Sequence, residues 1–153
     1  MTLAGHKMLL RFSVYLKGVV PLEAYVSNKV QVLNATKPFT MSEPSFGDEG
    51  VHLCTVACPD EFFNSLPNAD SLRSKSVDAI RGVLRAFQVQ FGEEIKQAGE
   101  EKRRAIYAVD VQFDAAGERA SILGFSFAPP DNLNYSEAFR ALFFDEVADL
   151  VTI

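Results

Sequence analysis

Residues 104–132 read RAIYAVDVQFDAAGERASILGFSFAPPDN, where two runs alternate apolar and other residues on either side of one turn, the pattern of a β-hairpin. Side chains of a strand alternate sides, so Tyr107, Val109, Val111 and Phe113 share one face, and Ser121, Leu123, Phe125 and Phe127 share another. These two faces are expected to meet in a core. A turn centred on Gly117, where glycine supplies the positive φ such loops need, sets Val111 opposite Leu123 and Val109 opposite Phe125. It also sets Asp110 opposite Gly124, with Ser126 beside it. The second face of the hairpin then carries a carboxylate, a bare backbone position and a hydroxyl. It is either a ligand-facing surface or a solvated one, and the residue types favour the solvated reading, because antiparallel sheets often leave one side wet.

Working outward from the hairpin, KMLLRFSVYLK at residues 7–17 puts Met8, Leu10, Phe12, Val14 and Leu16 on one face and Leu9, Arg11, Ser13 and Tyr15 on the other, a strand with one buried face. LEAYVSNKVQVLN, residues 22–34, reads as a second hairpin with Ser27 and Asn28 as turn formers, so the N-terminal third is expected to be an antiparallel meander. Ala35 to Gly50 is rich in Pro, Gly, Ser and Thr without periodicity, which predicts a surface loop. DEFFNSL predicts a short helix, and PNADSLRSKS a return to loop.

The main helix is expected from about Val77 to Lys96, capped by Ser76 and ended by Gly99, with Val77, Ile80, Leu84, Phe87, Phe91 and Ile95 inward. A terminal helix is expected from near Asn134, where Asn134 and Glu137 resemble a capping box, with Phe139, Leu142, Phe143 and Val147 inward and Pro129-Pro130 ahead of it. Together these predict an α+β fold, an antiparallel sheet with packed helices.

The composition bounds the function. The chain has 153 residues, of which 48% are hydrophobic and 11% aromatic, enough for one core-bearing domain or a piece of one. A net charge of -5 argues against nucleic acid as a partner. No apolar run reaches the ~20 residues that span a bilayer, and Arg11 interrupts the Met8 to Leu16 stretch, so a membrane is not expected and the chain reads as cytoplasmic. The only cysteines, Cys54 and Cys58, lie near His52, while His6 is far off in sequence. Zinc wants about four ligands, so two small buried thiols are the favoured reading over a metal site.

In this order, the motifs resemble the C-terminal half of tubulin-tyrosine-ligase-like proteins, members of the ATP-grasp class. HKMLLRFSVYL is similar to the family's K-F-D-I-R strand at Lys7 and Arg11, with Met8, Leu9 and Leu10 replacing the residues between. His52, Leu53, Cys54 and Thr55 compare with its H-L-T-N segment. IYAVDVQFD places the family's strand aspartate at Asp110, and LGFSFAP compares with L-E-V-N-x-x-P, with Gly124 for the Glu, Ser126 for the Asn and Pro129 for the Pro. YSEAFRALFFDE is similar to the closing helix of the divergent tubulin-tyrosine-ligase-like protein 12 branch.

The resemblance implies the C-terminal half of an ATP-grasp-like (glutathione-synthetase-like) domain and ATP-dependent addition of an amino acid to a tubulin or similar acidic protein tail. ATP and Mg²⁺ are the implied cofactors. Lys7, Arg11 and Asp110 are the implied cofactor-binding residues, Asp110 is the implied metal ligand, and no catalytic residue is assigned. Hard cations want oxygen ligands, and the replacements at Gly124 and Ser126, with Val32 for a second family arginine, imply a degenerate site. The family holds its nucleotide between two subdomains, and this chain corresponds to the second, so on its own it is expected not to bind Mg²⁺-ATP. Both a portion of a ligase and a non-catalytic module contacting an acidic tail or partner subunit remain open. Surviving function is expected on the Arg11, Asp110 and Gly124 face, where Arg11 reads as an exposed charge whose loss leaves folding nearly unchanged but weakens binding to an acidic tail.

Overall fold

The computed structural model describes residues 2–59, 61–99, 104–127 and 150–152. Strands β1 (Thr2–Leu3), β2 (His6–Gly18), β3 (Glu23–Pro38), β4 (Cys54–Ala57), β5 (Ala105–Phe113), β6 (Ala120–Phe127) and β7 (Leu150–Thr152) form one sheet with the path β4-β3-β2-β5-β6, while β1 pairs with β2 and β7 with β3. Every pairing is antiparallel. With the short helix α1 (Glu49–His52) and the long helix α2 (Ala69–Gln97), the fold is α+β.

β2 is the middle strand, and its alternation decides the layers. Met8, Leu10, Phe12, Val14 and Leu16 are all buried, and they join Val26, Val30 and Val32 of β3, Val109 and Val111 of β5, and Leu72, Ile80 and Leu84 of α2 in one core. The opposite face of β2 is not bare either, since Leu9 and Tyr15 are also buried there.

β3 corrects the expected second hairpin. Glu23–Pro38 is one strand against β2, with Phe12 opposite Val30 and Val14 opposite Val26. The extra residues between Val26 and Val30 make a bulge at Ser27–Lys29, where the Ser27 hydroxyl accepts the Lys29 N–H and Arg73 donates to the Asn28 carbonyl. The turn-forming residues break the ladder without reversing the chain, because Val26 and Val30 must both face the core. The expected loop from Ala35 to Gly50 is likewise shortened, by β3 running to Pro38 and by a 3₁₀ turn at Glu43–Ser45. A second 3₁₀ turn, Phe62–Ser65, forms where DEFFNSL predicted a short helix.

α2 begins at Ala69, inside the stretch expected to be loop. Ser76 is not its cap: it is fully buried in the helix and its hydroxyl donates to the Leu72 carbonyl at 2.7 Å, which satisfies a polar group at an inward position. The helix ends as expected, with Gly99 at φ 67° just beyond it. Phe87, expected inward, is 41% exposed. The inward line runs instead through Leu84 and Gly92 to Ile95, and at Gly92 an added Cβ would lie 3.4 Å from Val20 Cγ2.

The hairpin of β5 and β6 turns at Gly117, φ 72°, and sets Val109 opposite Phe125 and Asp110 opposite Gly124, as the sequence predicted. Val111 pairs with Ile122 rather than Leu123, because a bulge between these pairs absorbs one residue of β6. Ile122 therefore packs on the core while Leu123 is exposed. Lys75 of α2 binds the turn by donating to the Gly117 carbonyl and to Glu118. The terminal helix expected from Asn134 and the Pro129-Pro130 pair lie outside the described residues. No helix among the described residues is long and apolar enough to cross a membrane.

These positions give opposite expectations for two phenylalanines. Phe63, 1% exposed with Arg73 stacked 4.9 Å over its ring, should cost about 3–5 kcal/mol on truncation to alanine. Phe87→Ala should cost about 1 kcal/mol or less, both read by chemical denaturation at equal m-value.

Candidate functional site

The face of the sheet turned away from α2 gathers the polar residues. Two neighbouring rows cross it: Gln31 of β3, Arg11 of β2, Asp110 of β5 and Gly124 of β6 in one, and Ser13, Ala108 and Ser126 in the next. Arg11 and Asp110 sit directly opposite each other, and their side chains are 18% and 20% exposed. Arg11 donates through Nε to one carboxylate oxygen at 2.6 Å and through Nη2 to the other at 2.8 Å, a two-pronged pair. Asp110 is thus on the non-core face, as the alternation predicted, with both oxygens engaged. Next to the pair, the Gln31 Oε1 atom is buried and has no hydrogen-bond partner among the described residues.

Lys7 lies at the end of this face and away from that pair. It lines a cavity of about 370 Å³ together with Gln112, His52, Phe39, Met41 and Phe46. Among the described residues the Lys7 ammonium makes no ion pair. His52 reaches the cavity because α1 is fixed against β3. Asp48 caps α1 by accepting from Gly50 N–H at 3.0 Å and pairs with Lys37 at 2.7 Å, a bond that holds its carboxyl below the usual range. Gly50 lies so near β3 that an added Cβ would be 2.8 Å from Thr36 Oγ1. The His52 ring packs edge-on to Phe39 at 6.0 Å and tilted to Phe46 at 6.2 Å, and its Nε2 is buried without a hydrogen-bond partner.

Lys7, Arg11 and Asp110 therefore do not converge on one point. Arg11 and Asp110 form one unit, and Lys7 belongs to another with His52. The loop side chains Phe39, Met41 and Phe46, and Gln112 of β5, were missed because a loop has no period to read and the cavity forms only when residues distant in sequence meet.

Mg²⁺ demands several oxygen ligands in near-octahedral array. The rows around Asp110 offer that one carboxylate, already held by a cation, and Gly124 offers no side chain. No group of three or more His, Cys, Asp or Glu suited to a metal occurs among the described residues. The described residues do not fit a Mg²⁺ site. Cys54 and Cys58 are free thiols, with Cys54 donating to the Lys7 carbonyl at 3.3 Å and Cys58 accepting from Asn34 at 3.1 Å. Burial pushes both thiols above their usual pKa, so they remain protonated at neutral pH and are poor nucleophiles.

The sequence profile of the Tubulin-tyrosine ligase family matches residues 1–112. The chain belongs to that family. No curated protein matches it. The matched stretch includes Lys7, Arg11, His52 and Asp110 and ends before Gly124 and Ser126, so tubulin-tyrosine ligase membership attaches to the β2 to β5 part of the face. In this chain the aspartate strand β5 lies hydrogen-bonded to the arginine strand β2.

Removing either half of the Arg11–Asp110 pair leaves a part-buried charge alone, which corrects the view of Arg11 as an exposed charge. Arg11→Ala and Asp110→Ala should each cost about 1.5–3 kcal/mol, and the double substitution less than their sum, as a double-mutant denaturation cycle will read. Alkylation by iodoacetamide at pH 7 should be several-fold slower for the folded protein than for the unfolded chain, because raised thiol pKa values mean less thiolate.

Proposed function

We propose that this chain is the C-terminal half of a tubulin-tyrosine-ligase-like, ATP-grasp-like domain, of the divergent protein 12 branch, that has kept its fold and lost its nucleotide and metal chemistry. It works as a cytoplasmic binding module for an acidic protein tail, of tubulin or a similar protein. One observation carries the reading. Asp110, the sole carboxylate in the two rows across β2, β5 and β6, gives both oxygens to Arg11, so the pair is neutral where an ATP-dependent ligase needs a cluster of free oxygen ligands.

What is left to attract an anion is Lys7, whose ammonium has no ion pair among the described residues, at the open cavity beside His52. A carboxylate side chain of an acidic tail is a suitable partner for one such cation. Because the protein carries a net charge of -5, any attraction must be local, and local attraction is screened by salt.

Calorimetric and thermal-shift titrations test the two halves of this reading separately. Mg²⁺-ATP at millimolar concentration should give no saturable response, whereas an occupied site at a hundred times its Kd would add about 2.7 kcal/mol of stability. A glutamate-rich tail peptide should bind, more weakly as salt rises, and more weakly still to Lys7→Ala. A saturable micromolar response to Mg²⁺-ATP overturns the loss of nucleotide chemistry. Absence of peptide binding at low salt overturns the tail-binding role.

A further inference from the structure

We infer that the outer edge of β6 is an interface at which a second copy of this chain pairs strand to strand, antiparallel about a two-fold axis between Leu123 and Gly124. The inference uses no residue of the Lys7 cavity and stands apart from the tail-binding reading.

β6 is the open end of the sheet. The path β4-β3-β2-β5-β6 stops there, and no described residue pairs with the side of β6 turned away from β5, whereas the outer side of β3 is taken by β4 and β7. Such an edge presents a row of backbone N–H and C=O groups to any incoming strand, and proteins usually blunt it with charges or proline. ASILGFSF, residues 120–127, has neither. Its large side chains are exposed as well, Leu123 at 55% and Phe127 at 73%. On the core side, α2 packs against β6 and adds Val83 and Phe87, each 41% exposed, to the apolar surface.

Two observations select a second copy as the partner. The first is charge: each copy carries -5, so two copies approach best where neither presents an ionised group, and the eight uncharged residues of β6 bring no like charges together. The second is the order of faces. Ala120, Ile122 and Phe125 pack on the core and Phe127 lies beside Tyr107, while Ser121, Gly124 and Ser126 stand opposite Gln112, Asp110 and Ala108. The register that pairs all eight residues, from 120 with 127 to 123 with 124, would set unlike faces against each other in a strictly alternating strand. The bulge at Leu123 adds one residue and removes that mismatch. Ala120 then meets the partner's Phe127, Ile122 meets the partner's Phe125, and Ser121 meets the partner's Ser126, each on a matching face. Leu123 falls opposite the partner's Gly124, where an added Cβ meets no atom within 4 Å and a side chain has room to lie. The bulge therefore gives the order of faces its two-fold symmetry.

Eight paired residues with one flanking helix make a small interface, below about 1,200 Å², so the dimer is weak, with a Kd of about 50 µM. Sedimentation velocity of the whole chain from about 5 to about 500 µM, a tenfold span on each side of that value, should show the monomer passing into a dimer. Over the same range the β6 amides that point away from β5 should gain protection from hydrogen exchange. Variants at exposed positions then read the register. Leu123→Lys, which sets two ammonium groups near the axis, should weaken the dimer about ten-fold. Ser121→Glu with Ser126→Glu sets carboxylate against carboxylate and should weaken it as much, whereas Ser121→Glu with Ser126→Lys sets opposite charges face to face and should keep the dimer within about three-fold of the parent. A parent chain that stays monomeric at the highest concentration overturns the inference. So does a dimer that Leu123→Lys leaves intact, or one in which the Glu–Lys variant is no tighter than the Glu–Glu variant. Should a variant fail to fold, by circular dichroism, the exchange pattern of the parent chain decides: protection gained on β6 supports the interface, and protection gained only elsewhere overturns it.

Discussion

Burial of β2 on both sides by hydrogen-bonded neighbours is the constraint from which the arrangement follows. A central strand offers its even side chains to one layer, and here Met8 to Leu16 are all apolar, so α2 and the 3₁₀ turn with Phe63 must cover that face. Its odd side chains are then committed to the other face, where Arg11 stands opposite both Gln31 and Asp110. A shift of one residue in the β2–β5 register would move Asp110 to the core side, leaving a carboxylate in the core with Phe12 and Ile80, and would turn Val109 to the opposite face. The core pattern and the ion pair therefore enforce the same register.

The part of the fold that could be read from the sequence is the part governed by strict periods. β2, the β5–β6 turn at Gly117 and the end of α2 at Gly99 were legible because each rests on local chemistry: alternation, or a glycine that takes positive φ. The misreadings share a different cause. Ser27-Asn28-Lys29 and Leu123 mark bulges, where two extra residues enter β3 and one enters β6, and a bulge interrupts the pairing without altering composition. Ser76 is a good capping residue, and nothing local reveals that Leu72 continues the buried line one turn earlier. Phe87 was read as inward from the three- and four-residue spacing of the apolar side chains, whereas the buried line of α2 runs from Leu84 to Gly92, where a missing side chain admits Val20.

The candidate site divides along the same line. The pairing of Asp110 with Gly124 was legible, since it depends on strand register. The separation of Lys7 from the Arg11–Asp110 unit was not, because it depends on the partner each cation finds. The strand residue opposite Arg11 is a carboxylate, and the loop residues around Lys7 are aromatic. The same two cations, equivalent on the page of the sequence, are electrostatically unlike in the fold.

That difference decides what the face can recognise. A guanidinium bound at both prongs by an aspartate has its charge compensated and two of its donors engaged, so a second anion must compete with a neighbour that the sheet holds in place. An ammonium beside a ring-lined cavity has no such competitor among the described residues, and its flexible stem lets it follow a ligand rather than dictate one geometry.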